Sequence, residues 1–114
     1  MKDTITSIVD AKDANGFAAL FADNGQFIFG NNDAVIGRDS IQNYVDGFFS
    51  LIQGLKHTSE LKTQTDNLLI FTGEVTYTRK DGSTLTLPYC NVLDLEQNKI
   101  SKFQVYVDNS ALFQ

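Results

Sequence analysis

Apolar positions follow a helical period in the first half of the chain and alternate in the second. Ile5, Ile8 and Val9 recur at helical spacing behind Asp3 and Thr4, which are candidate caps. Phe17, Leu20 and Phe21 repeat that spacing in a second short helix, which "ADNGQ" ends before "QFIFG" opens a strand holding Phe27 and Phe29. In "GRDSIQNYVDGFFSLI" the residues Ile41, Tyr44, Val45, Phe48, Phe49 and Ile52 share one face of the best-marked helix, with Asp39 or Ser40 as its cap. From Leu55 onward the pattern predicts strands over 55–65, 68–79, 83–95 and 99–107, with "TDN", "KDG" and "EQNK" as turns. Helices followed by an antiparallel sheet make an α+β chain, whose helices must cover one face of a strongly curved sheet.

Alternation also assigns faces. On 83–95 the odd positions, including Leu85, Leu87, Tyr89, Asn91 and Leu93, form the buried side. Their partners on 68–79 depend on the turn. A two-residue Asp81-Gly82 turn pairs Thr78 with Leu85 and sends Thr72, Glu74, Thr76 and Thr78 inward. A three-residue Lys-Asp-Gly turn with Gly82 in a bulge shifts the pairing by one and turns Val75 and Tyr77 inward instead. The candidate site below follows the two-residue pairing. On 55–65 the charges Lys56, Glu60 and Lys62 leave Leu55, His57, Ser59 and Leu61 to the other side. On the last strand Phe103, Val105 and Val107 point inward.

Composition narrows the classes. With 114 residues the natural count is one domain, 1–114, large enough for a core without staples. A net charge of −5 and no basic run beyond Arg79-Lys80 argue against nucleic acid. The lone Cys90 and single His57 exclude an intrachain disulfide and any metal site built on cysteine or several histidines. No window reaches the length of a membrane span, and the N-terminus lacks an apolar stretch of signal-peptide length, so a cytoplasmic location is expected.

Together, "FAALFADNGQFIFG", "IGRDSIQNYVDGFF", "GLKH", "GEVTYTRKDG", "LPYCNVLDLEQNKI" and "FQVYVDNSALF" resemble the SnoaL-like (polyketide cyclase-like) branch of the nuclear-transport-factor-2-like, or ketosteroid isomerase-like, superfamily over residues 3 to 113. The resemblance implies a cone-like α+β barrel around a long helix, a mostly apolar pocket, and a homodimer through the outer sheet face. It implies no cofactor. The superfamily spans isomerases, epoxide hydrolases, cyclases, dehydratases and non-enzymatic binding modules, so fold does not fix function. The Tyr, Asp and Asp of a ketosteroid isomerase match Ile5, Phe29 and Asn91 here. The set of a limonene-type epoxide hydrolase matches Phe27, Phe29, Thr72, Glu74 and Val105, where only the acid at Glu74 is kept. Val105 also stands where the cyclases place an acid. None of these known sets is expected to be intact.

The remaining candidates are few. Glu74 and His57 are the candidate acid–base groups, Glu74 as a carboxylate inside an apolar cone and His57 as the residue type that exchanges protons near neutral pH. Tyr89, Asn91 and Thr72 are candidates to hold a ligand oxygen, and Phe17, Phe27, Phe29, Phe103 and Val105 to line the pocket. The implied ligand is a small apolar molecule. The implied activity is a cofactor-independent cyclase, isomerase or dehydratase, against a non-catalytic binding or dimerisation module. Cys90, Pro88, Thr86, Tyr106 and Tyr77 are expected on the outer face, and Arg38 is expected to stabilise a loop.

Overall fold

The computed structural model describes residues 1–113. Three helices, α1 (Lys2–Asp10), α2 (Ala14–Ala19) and α3 (Arg38–Ser50), pack on a seven-stranded sheet. The strands are β1 (Phe21–Phe29), β2 (Val35–Ile36), β3 (Gly54–His57), β4 (Glu60–Gln64), β5 (Leu68–Thr78), β6 (Thr84–Glu96) and β7 (Lys99–Tyr106). The sheet is curved and open, ordered β2-β1-β7-β6-β5-β3, with β4 also on β5. All pairs are antiparallel except β1 with β7, which run parallel. The segment 55–65 breaks into β3 and β4 because Thr58 leaves the strand path: its N–H donates to the Glu74 carbonyl at 2.9 Å and its Oγ1 accepts from the Glu74 N–H at 3.0 Å.

The helix stripes face the core as their spacing demands. Ile5, Phe17, Ile41, Val45 and Phe49 are buried, as is Ile52 just past the end of α3. Neither α1 nor α3 has a side-chain cap; Met1 and Gly37 occupy the cap positions, and Asp39 lies in the first turn of α3 instead. Asp13 caps α2 by accepting from the Gly16 N–H at 2.9 Å. Phe17, Phe21, Phe27 and Phe103 form a ring cluster with centroids 5.2 to 6.3 Å apart, mostly edge to face. Each such pair adds about 0.5–1.5 kcal/mol beyond the area it buries.

The β5–β6 hairpin takes the three-residue turn. Arg79 N–H donates to the Ser83 carbonyl at 2.8 Å, Gly82 N–H donates to the Arg79 carbonyl at 2.9 Å, and Gly82 has φ +89°. Asp81 favours this turn, since its Oδ1 accepts from both the N–H and the hydroxyl of Ser83. Those bonds also hold its carboxyl below the usual range. Thr78 therefore pairs with Thr84, Glu74 with Pro88 and Thr72 with Cys90. This overturns the two-residue pairing: Glu74 is exposed, Thr72 shares its outer face, and Val75 and Tyr77 are buried. Tyr77 is thus absent from the outer face, where Thr86, Pro88 and Tyr106 are exposed. Arg38 ties the first turn of α3 to strand β1 rather than to a loop, donating from Nε to the Phe21 carbonyl at 2.8 Å and pairing with Asp23 at 2.9 Å. No described helix is long and apolar enough to cross a membrane.

Candidate functional site

Between the helices and the concave sheet face lies a pocket of about 60 Å³. That is far below the roughly 300–1,000 Å³ of drug-sized sites and leaves room for a few heavy atoms. Its wall holds the sequence candidates His57, Tyr89, Asn91, Phe17, Phe27, Phe29, Phe103 and Val105. Glu74 and Thr72 are not among them, because the register puts both on the opposite face. Proton transfer inside the pocket therefore cannot use Glu74.

His57 ends β3 and faces the last turn of α1. Its Nδ1 lies 2.6 Å from Asp10 Oδ1, and its backbone N–H donates to Asp10 Oδ2 at 3.1 Å. One carboxylate thus grips both the ring and the main chain of the same residue. A carboxylate only accepts, so Nδ1 carries the proton and Nε2 is left as the nitrogen free of Asp10. The side chains are 13% and 25% exposed, so the pair is largely withdrawn from water. Asp10 escaped the sequence reading. One signal was available: a carboxylate in the last turn of a helix opposes the helix dipole and needs another reason to be there.

Tyr89 stands beside this pair. Its ring meets His57 edge to face at 5.2 Å, and its hydroxyl donates to the Thr58 carbonyl at 2.6 Å. Burial first, then the charges of Asp10 and Cys90, push Tyr89 up to about 12. Tyr77, which the shifted register brings in, is likewise pushed to about 12 by burial. Both stay neutral phenols at ordinary pH. Tyr44 also reaches the wall and its hydroxyl accepts from Asn32 Nδ2 at 2.8 Å.

Asn91 follows Tyr89 on the inner face of β6. It is 6% exposed and is the buried polar residue among the described core, and its Oδ1 has no hydrogen-bond partner. Leaving such a group unpaired costs about 1–3 kcal/mol. No three His, Cys, Asp or Glu side chains among the described residues converge to hold a metal ion.

Helices packed on a curved, mainly antiparallel sheet give the chain the nuclear-transport-factor-2-like fold. The model of the SnoaL-like domain matches residues 3–103, and the chain belongs to that family. No curated protein matches it. Among solved structures it is similar to an NTF2-like protein of unknown function from Burkholderia pseudomallei, with 14% identity, TM-score 0.85, and 98% of this chain and 91% of that one covered. A ketosteroid isomerase-like protein from Catenulispora acidiphila, in complex with trimethylamine, matches at 16% identity and TM-score 0.83 over 92% and 82% of the chains. A putative SnoaL-like polyketide cyclase from Jannaschia sp. matches at 15% identity and TM-score 0.77 over 98% and 88%. These identities carry the fold.

Proposed function

We propose that this chain binds a small, mostly apolar carbonyl compound in its pocket and moves a proton on it, with His57 as the acid–base group and Asp10 as its holder. The observation that supports this is the Asp10–His57 contact of 2.6 Å in the wall of an otherwise apolar chamber. A histidine whose Nδ1–H is fixed by a carboxylate presents Nε2 as a base of defined direction. In this scheme Nε2 takes a proton from the carbon beside the carbonyl, and Asn91 steadies the oxygen on which charge develops. Tyr89 and Tyr77 remain protonated walls. The chemistry is proton transfer alone, in keeping with an isomerase, cyclase or dehydratase without a cofactor. The small volume agrees with a small occupant.

A second reading is a non-catalytic binding module that dimerises through the outer sheet face. The tight, ring-filled chamber and the exposed Thr86, Pro88 and Tyr106 favour it. Deuterium uptake by butanone in D2O, followed by NMR, separates the two. Under the acid–base reading the protein speeds exchange beside the carbonyl, His57→Gln removes roughly 10²–10⁴-fold of that rate, and Glu74→Gln changes nothing. Exchange no faster than in buffer, or untouched by His57→Gln, refutes it. Butanone shifts in pocket resonances without exchange would favour the binding module.

A further inference from the structure

We propose that the pocket's ligand carries a hydroxyl next to its carbonyl, an α-hydroxyketone of few carbons, and that the Asn91 amide reads this pair of oxygens. The inference rests on the acid–base reading above and names its substrate class. A side-chain amide offers an acceptor and a donor side by side. A simple ketone satisfies only the donor, and Asn91 Oδ1 then stays unpaired as it is in the free protein. An alcohol satisfies only the acceptor. A hydroxyketone supplies an acceptor for Nδ2 and, once the unpaired amide turns its buried Oδ1 towards the chamber, the donor that Oδ1 lacks.

Two further features restrict the class. The wall contains no lysine or arginine among the described residues, so a carboxylate or phosphate finds no counter-charge. The volume of about 60 Å³ restricts the carbon frame to a few atoms. Asn91 and Tyr89 lie two residues apart on the same face of β6, and Tyr89 touches His57. A ligand held at Asn91 thus lies along the wall that carries the base.

The step that follows is an enediol tautomerisation. Nε2 takes the proton from the hydroxyl-bearing carbon. The electron pair of that C–H bond forms the C=C bond of the enediol. The broken carbonyl π pair goes to its oxygen, which takes a proton from solvent. Return of the His57 proton to the neighbouring carbon, with loss of a proton from the other oxygen, yields the transposed hydroxyketone. No oxidant or reductant is consumed.

Deuterium uptake by acetoin and by butanone, each normalised to its own rate in buffer, tests the assignment. The expected result is a normalised acetoin rate roughly 10–100-fold above that of butanone. Asn91→Leu collapses this ratio towards one. Equal normalised rates in the wild-type protein, or a ratio that survives Asn91→Leu, overturn the assignment while leaving the acid–base reading intact. If neither compound exchanges, the acid–base reading falls. NMR titrations of the same pocket then judge the recognition alone: acetoin must bind at least tenfold more tightly than butanone and 2-butanol, and equal affinities overturn it.

Discussion

Replacing Gly73 by Ala tests how the base is held in place. A Cβ built on Gly73 would lie 2.1 Å from the Thr58 carbonyl oxygen, 2.7 Å from its carbon and 3.1 Å from Thr58 Oγ1. Contacts this close to main-chain atoms cannot stand, so the Thr58 peptide must retreat by about an ångström to reach ordinary van der Waals separation. Its carbonyl receives the Tyr89 hydroxyl at 2.6 Å, and the same residue is bonded to Glu74 through its N–H at 2.9 Å and its Oγ1 at 3.0 Å. Three bonds at about 1 kcal/mol each, plus the cost of a buried phenol left without an acceptor, come to about 4–5 kcal/mol. Loss of glycine's freedom in the unfolded chain offsets about 0.5–1 kcal/mol. The expected net loss is about 3–4 kcal/mol, a fall in Tm of roughly 12–17 °C for a domain of this size. Urea unfolding measures it directly. Tyr89→Phe, which removes only the donor, should cost about 1 kcal/mol in the wild-type background and less in Gly73→Ala, where the bond is already broken. Gly73→Ala within about 0.5 kcal/mol of wild type would refute the reasoning, since Thr58 would then have room to move without loss.

Two other expectations concern the buried polar groups. Burial raises Tyr77 from 10.0 to about 12, so the folded state holds its proton more tightly than the unfolded chain. The resulting stability is complete below pH 10 and is lost as pH rises towards 12; at 3% exposure it amounts to about 2–3 kcal/mol. Urea midpoints at pH 9 and 11.5 should show the fall, and Tyr77→Phe should reduce it to the part that Tyr89 contributes; equal slopes for both proteins would contradict the assignment. Asn91→Leu should stabilise the fold by about 1–3 kcal/mol, because an unpaired buried amide gives way to an apolar side chain of similar size. A lower Tm in that variant would mean that Asn91 is paired in the free protein.

The hairpin shows where sequence reading stops. The odd face of 83–95 was legible because Leu85, Leu87, Tyr89 and Leu93 alternate with polar residues, and Tyr89, Asn91 and Leu93 are indeed buried. On β5 both registers left a plausible inner face. One holds threonines and Glu74; the other holds Val75 and Tyr77. The decision lay in the turn, where Asp81 takes two bonds from Ser83 and Gly82 adopts a positive φ. A period of two makes such a slip total: every side chain of the strand changes face. Glu74 therefore left the site on account of a turn seven residues away. The Asp10–His57 pair was hidden for a different reason. The residues are 47 apart and belong to a helix end and a strand end, which no local period connects.

Where the polar groups fall in the pocket also sets how a ligand must lie. The resemblance to cyclases and isomerases puts their acids at Phe29 on β1 and Val105 on β7. Those two residues are neighbours in the parallel pairing and form one apolar side of the chamber. Asn91 on β6 is the cross-strand partner of Val105, and Tyr89 on β6 and His57 on β3 carry the polar edge onward from there. An apolar carbon frame gains by lying against the Phe29–Val105 side, and an oxygen-bearing edge gains only by turning to Asn91. The same orientation brings the carbon beside that oxygen towards the wall that carries His57. A base at Val105 on β7 would instead stand directly beside Asn91. Under the acid–base reading, the proton therefore moves on the side of the pocket next to α1, where Asp10 holds His57.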